Sequence, residues 1–268
     1  MTPLTFRHGP HPAQVCDLYL PDGGADGGGG AAGVAVLLHG GYWRARYDRS
    51  LQEPVARDLA GRGWAVWNVD YRGVDPSAQA PGWPHTFIDV AAALDLLPAV
   101  AIDLRLPLHR VVAVGHSAGG TLALWSAARH RLPDSAPGAR PALRPGAVIA
   151  QAAICDLVAG AHEGLGEGAV RDLMGGMPAD LPREYGWASP AALLPLGVPI
   201  ALVTGDADDT VPAVQSLRLA DAARAAGDDV TLVVLPGEGH YGHLDAWSPV
   251  WRVTRDLLEG LPDRFPGS

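Results

Sequence analysis

Lysine is absent from the 268 residues, so all 20 basic side chains are arginine, and 29 Asp and Glu outnumber them for a formal net charge of −9. No run of four or more arginines occurs. A protein that tracks a nucleic-acid backbone needs such a basic stripe, so nucleic acid is not an expected partner. Cysteine is nearly absent too. Cys16 and Cys155 stand far apart and match no metal-ligand spacing, which predicts two buried free thiols, no metal and a reducing compartment. Long apolar runs are also missing. The opening MTPLTFRHGP has no signal-peptide core, and no later stretch reaches the ~18 apolar residues of a membrane span. A cytoplasmic protein without membrane contact is the expectation. With 48% hydrophobic residues, a chain of this length buries roughly 70–75% of its unfolded surface and needs no disulfide or metal staple. Disordered and collagen-like classes are thereby excluded.

What is present is a rhythm of short Val/Ile/Leu runs separated by helix-length segments. Val34–Leu38, Ala65–Asp70, Val111–Gly115, Ala147–Gln151, Ile200–Thr204 and Val230–Leu235 read as strands covered on both faces, because they lack strict alternation. Helices are predicted near Leu51–Arg62, His85–Leu97, Ala118–His130, Ala213–Ala226 and Trp247–Leu258. This alternation implies an α/β protein with a mostly parallel central sheet and helices on both faces. Val15–Leu20 alternates and reads as an extra leading strand at an edge. The glycine-rich stretch of residues 21–33 reads as a surface loop. No composition shift marks a second domain, so residues 1–268 are expected to form one. Residues 156–196 are rich in Gly and Pro and break the rhythm, and are expected to be a cap or insertion over a site, with a plain long connection as the alternative.

The chemistry concentrates in Gly115-His-Ser-Ala-Gly119, placed between an apolar strand and an Ala/Leu-rich helix. That is the setting of a nucleophile elbow, in which Ser117 is held in a strained turn and glycine is needed on both sides for strand and helix to approach. A serine hydroxyl is a poor nucleophile alone, so an acid and then a histidine should follow in the chain. Val203-Thr-Gly-Asp-Ala-Asp-Asp-Thr-Val-Pro offers Asp206, Asp208 and Asp209 after one strand, and Gly239-His-Tyr-Gly-His offers His240 and His243 after the last. Asp156 is a rival acid. His243 alternatively reads as an ordinary helix-start or surface histidine. Loops at the carboxyl ends of parallel strands share one edge, which brings these segments together. Leu38-His-Gly-Gly-Tyr-Trp43 emerges there as well. Its Gly41 and Tyr42 amides, with that of Ala118 at a helix N-terminus, are candidate oxyanion donors, while His39 is expected to pin the loop. Tyr42, Trp43, Trp83, Trp187 and Tyr241 are candidate substrate contacts in an aromatic pocket. Asp70-Tyr-Arg72 reads as a structural salt bridge or turn.

With these residues the sequence resembles the α/β-hydrolases of the esterase/lipase kind over nearly its whole length. The spacing Gly-x-x-Asp-x-x-Val-Pro matches that family's acid loop at Asp208, and Gly-His-Tyr matches its histidine loop at His240. His39-Gly-Gly-Tyr-Trp43 is similar to the H-G-G-x-W signature of the kynurenine formamidases (arylformamidases), as are Gly9–Pro21 and Asp70-Tyr-Arg72. The resemblance implies a serine hydrolase without metal or cofactor, acting on a small acyl ester or an N-formyl aryl amide, as a monomer or homodimer. A general short-chain carboxylesterase uses the same machinery. A non-catalytic binding protein on this scaffold is the alternative from another class, and such proteins typically lack a member of the Ser–acid–His set.

Overall fold

The computed structural model describes residues 2–22, 30–75, 77 and 82–261. Of the glycine-rich stretch, residues 23–29 lie outside the described residues. The apolar runs join a single eight-stranded sheet: β1 (Leu4–Arg7), β2 (Val15–Tyr19), β3 (Val34–Leu38), β4 (Ala65–Val69), β5 (Val111–His116), β6 (Ala147–Gln151), β7 (Ile200–Gly205) and β8 (Val230–Leu235). The spatial order is β1-β2-β4-β3-β5-β6-β7-β8. β1 and β2 pair antiparallel, as do β2 and β4, and the remaining neighbours are parallel. The expectation that residues 15–20 form an edge strand is corrected. β1, which the sequence reading passed over, takes the edge, and all five residues of β2 are buried. Four residues, LTFR, carry too little pattern to register as a strand, and only Phe6 is part-buried there.

Side chains on β3 and β5 divide strictly by the two-residue period of a strand. Val34, Val36 and Leu38 join Val111 and Ala113 in one core, whereas Ala35 and Leu37 join Val112 and Val114 in the other. The first core is covered by α2 (His85–Leu104), α3 (Ala118–Ala128) and α7 (Val214–Ala226). The second is closed by α1 (Glu53–Gly61) and α8 (Pro249–Gly260), through Val55, Leu59, Val250 and Trp251. α8 starts on a Ser248 cap, whose hydroxyl accepts from Trp251 N–H at 3.0 Å, with Pro249 in the first turn. The helix predicted from residue 247 therefore begins later, and Trp247 stands outside it, 88% exposed. α2 continues past Pro98, where a stop was expected. Val100 and Ala101 keep its far end buried, and that burial outweighs the one backbone hydrogen bond a proline removes.

Residues 156–196, for which no helix was predicted, contain three short ones: α4 (Leu157–His162), α5 (Leu165–Met174) and α6 (Pro182–Ala188). Among the described residues no helix is long and apolar enough to cross a membrane, and no group of His, Cys, Asp or Glu is arranged to hold a metal ion.

Asp89 ties α2 to the residues flanking β2 and β4. Its fully buried carboxylate accepts from Gln14 Nε2 at 2.7 Å and from Arg72 N, Nε and Nη2 at 3.0, 2.8 and 2.6 Å. The charge–charge attraction and four donors offset the desolvation of the carboxylate. Removing the acceptor strands these donors, so Asp89→Ala should lower the unfolding free energy by about 3 kcal/mol, read as a shifted urea midpoint with unchanged slope. A loss below about 0.5 kcal/mol would contradict the assignment.

Candidate active site

β5 runs straight into α3 with Ser117 as the sole connecting residue. A strand cannot feed a helix so abruptly in ordinary backbone geometry. Ser117 accordingly sits at φ 56°, ψ −122°, a conformation that costs a non-glycine residue roughly 1–3 kcal/mol. Its N–H donates to Gln151 O at 2.7 Å, at the end of the neighbouring strand. A methyl group at Gly115 would overlap the Gly119 carbonyl, and one at Gly119 would overlap the Leu38 carbonyl. The two glycines are thus a steric requirement of the elbow. Ser117 is 2% exposed and lines a cavity of about 880 Å³.

The loop after β8 brings His240 to the same cavity. His240 Nδ1 lies 2.7 Å from Asp208 Oδ2, which holds the ring with Nδ1 protonated toward the carboxylate. Asp208 Oδ1 accepts from Thr210 N at 2.9 Å and Val211 N at 2.8 Å. Burial pushes the Asp208 carboxyl up, but the His240 contact and the two backbone donors outweigh it, so it lies below its ordinary value. The other acids are occupied elsewhere. Asp206 accepts from Gly237 N at 2.6 Å, Asp209 faces the Thr210 hydroxyl, and Asp156 caps α4 by accepting from Val158 and Ala159 N–H.

Of the two ordinary readings of His243, helix start or surface, the first agrees with its place in the turn Gly242–Leu244 and the second is corrected. His243 lies in a short 3-10 turn and is 0% exposed, with its ring against His116 at 5.5 Å. Burial holds His243 well below the usual imidazole range and lowers His116 to about 3.

The loop after β3 completes the site. His39 stacks on Tyr71 at 4.2 Å and places its ring nitrogens against Gly40 O and Asp70 Oδ1, so it pins the loop as expected. Asp70 also accepts from Arg49 Nη1 at 3.2 Å. Gly41 and Tyr42 follow in left-handed conformations, φ 102° and 50°, and both line the cavity. Ala118 opens α3, where first-turn amides have no intrahelical acceptor. Tyr42 spans the site: its hydroxyl donates to Thr210 O at 2.7 Å, and its ring rests on Gly166 of the 156–196 segment. Burial first, and then the Asp208 charge, push its phenol up to about 12.

Of the five aromatic residues expected in the pocket, Tyr42 and Tyr241 line the cavity and three tryptophans do not. Trp43 is 1% exposed and donates its indole N–H to Ala118 O at 3.1 Å. Trp83 packs edge-on against Phe87 in the core. Trp187 packs against that core under Arg183. Large apolar rings gain more from core burial than from lining a wet cleft, and residue type alone does not distinguish the two. Conversely, Arg44, Arg46, Tyr47, Asp75 and Glu167 line the cavity and escaped the sequence reading. Arg44 to Tyr47 directly follow the His39–Trp43 motif but belong to no pattern of their own, and Asp75 and Glu167 adjoin none of the catalytic motifs.

A mostly parallel sheet covered on both faces, with an elbow serine at the carboxyl end of its fifth strand, is the α/β-hydrolase fold. The chain belongs to the BD-FAE family, whose model matches residues 16–222. No curated protein matches the sequence. Solved structures match at low identity. A truncated carbohydrate esterase from gut microbiota superimposes with TM-score 0.78 at 21% identity, covering 97% of this chain and 94% of that one. A thermophilic esterase from the Planctomycetes species Thermogutta terrifontis, with butyrate bound, gives 0.76 at 22%, with coverage of 100% and 97%. Esterase B from Lactobacillus rhamnosis, inhibited by a tributyrin phosphonate, gives 0.79 at 20%, with coverage of 96% and 84%.

The buried His116 makes acid stability a readout of the site. In the unfolded chain it titrates near 6.5, whereas in the folded protein it does so at about 3. As pH falls below about 6.5 the unfolded state takes up a proton that the folded state refuses, so stability is full above that value and is lost towards pH 3. Between pH 7.5 and 5 the parent should lose about 2 kcal/mol more than His116→Gln, which has no such proton. Parallel urea titrations at the two pH values check this, and equal losses would refute it.

Proposed function

We propose that this protein is a serine esterase that cleaves small acyl esters through an acyl-enzyme. Ser117 is the nucleophile, His240 the general base and Asp208 the group that orients and compensates it. The observation that carries the reading is the strained Ser117 opening into the same cavity as His240, with that imidazole held on Asp208 at 2.7 Å. In the first half-reaction Ser117 Oγ bonds to the acyl carbon as His240 Nε2 takes its proton, and the carbonyl π electrons move onto oxygen. The amides of Gly41, Tyr42 and Ala118 stabilise that oxyanion. Collapse expels the alcohol, which receives the proton from His240. Water then repeats the sequence, releases the acid and restores Ser117. Residues 156–196 act as a cap, contributing Gly166 and Glu167 to the wall. The butyrate bound to the Thermogutta terrifontis esterase favours short acyl groups here.

Ser117→Ala should lower turnover of p-nitrophenyl acetate by about a thousandfold or more while leaving the thermal transition in place. A fluorophosphonate should label the parent at Ser117 and not the variant. An unchanged rate would remove Ser117 from the mechanism.

A second reading, hydrolysis of an N-formyl aryl amide, is favoured by the mouth of the cavity. Tyr42, Tyr47 and Tyr241 are among its lining residues, aromatic side chains that would suit an aryl group. Arg46 and Glu167 line it too, one cation and one anion that suit the charged ends of an amino acid, while Arg44 is paired with Asp172 at 2.8 Å. Kynurenine-formamidase-like activity would appear as a kcat/KM for N-formylkynurenine at least about tenfold above that for p-nitrophenyl acetate or butyrate, a gap of ~1.4 kcal/mol in transition-state binding. Equal or inverse values identify a general short-chain carboxylesterase.

A further inference from the structure

His116 fills the variable position of the Gly115–Gly119 turn, where the elbow geometry itself asks for no particular side chain. Yet it is an imidazole, 2% exposed, among the residues that line the cavity. Its Nε2 lies 2.9 Å from the carbonyl oxygen of His240. A carbonyl oxygen only accepts, so Nε2 carries the proton and Nδ1 is bare. That Nδ1 has no partner and faces the glycine loop: a methyl group at Gly40 would stand 3.0 Å from it and 3.0 Å from Ser117 Cβ. The ring lies 4.7 Å from that of His240, tilted by 48°. One side chain at the end of β5 thus stands against the loops that follow β3 and β8.

Burying an imidazole with an unmatched nitrogen is costly, and an apolar side chain of similar volume would fill the space without that cost. The contact to the His240 carbonyl is what an apolar residue cannot supply. We propose that His116 is a positioning residue, whose Nε2–H grips the main chain of His240 and holds that imidazole in register with Ser117. The inference rests on the esterase reading above. Nucleophile and base come from loops more than a hundred residues apart in sequence, and a displacement of about 1 Å between reacting groups can cost about a hundredfold in rate. A hydrogen bond from the residue adjoining Ser117 to the backbone of His240 ties the two together directly.

The test compares three variants with p-nitrophenyl acetate. His116→Leu fills the volume and removes the donor. His116→Gln places an amide N–H where Nε2 stood, and His116→Asn places one at the nearer Nδ1 position, too short to reach His240. The Leu and Asn variants should lose roughly 10–100-fold in kcat with KM within about twofold, and Gln should return kcat to within about threefold of the parent. A role in folding alone would track thermal stability and would not separate Gln from Asn. Leu and Asn variants with parental kcat, or a Gln variant as slow as Leu, would overturn the proposal. Should the Leu variant lack a cooperative transition, the Gln and Asn pair decides. Ser117→Ala run in parallel separates the two levels. If it retains turnover, the esterase reading itself falls; if it abolishes turnover while His116→Leu is unaffected, the positioning role alone falls.

Discussion

The crossing of α3 over the ends of β3 and β5, with no side chain between them, is the constraint on which the site depends. Gly119 stands against the Leu38 carbonyl, Gly115 against the Gly119 carbonyl, and Gly120 against Ala153. Every residue of α3 is buried, and the Thr121 hydroxyl donates to Ile154 O at 2.6 Å. A helix seated this firmly over-determines the residue that joins it to β5. The left-handed Ser117 is then held by burial elsewhere, as strain at a working site must be. The same crossing sets the first turn of α3 beside the glycine loop after β3, so the positions of hydroxyl and candidate amides follow from one packing decision.

Electrostatics around that crossing are arranged to keep charge scarce. Asp208 is a buried carboxylate with its oxygens matched by one imidazole and two backbone N–H donors. Beside it the rings of His116 and His243 are held uncharged by burial. In the proposed reaction His240 becomes an imidazolium, and a second positive ring within about 5 Å would oppose it by several kcal/mol at the effective dielectric of a buried site. Neutral neighbours avoid that penalty, while Asp208 supplies the one attractive charge. The acid instability of buried neutral imidazoles is the thermodynamic cost of this arrangement.

Most of the sheet was legible in the sequence because parallel strands buried on both faces are written as short, mainly apolar runs. Val230–Leu235, expected to be covered on both faces, is instead the part-exposed strand at the far edge, but its run of Val and Leu still marks it as a strand. Each of the six runs after residue 30 became a strand within a residue of its expected limits. The elbow was legible for a related reason: glycine at both 115 and 119, between a strand and a helix, has few other uses. β1 was not legible, since four edge residues, three of them exposed, carry no hydrophobic signature. Neither was the split among the aromatics. Trp43 and Tyr42 are adjacent in one motif, yet Trp43 is core and Tyr42 lines the cavity, because consecutive left-handed residues turn their side chains to different sides. His243 had the composition of a surface turn, and only the docking of that turn against His116 buries it.

The cavity itself divides along the same line. Its floor comes from residues whose backbone conformation is demanded by the fold, Ser117, Gly41 and His240 among them. Its mouth comes from Arg46, Tyr47 and Glu167, side chains that can be exchanged without disturbing a strand or a cap. Tyr42 joins the two parts. Its hydroxyl is bound to the acid loop at Thr210 and its ring is seated on Gly166, so a change in the 156–196 segment reaches Asp208 through a rigid aromatic. Binding groups can therefore vary at the rim while the spacing of nucleophile, base and acid stays with the sheet. For that reason a sequence can announce its reaction through the elbow and withhold its substrate, since leaving-group recognition is carried by loop residues that obey no spacing rule.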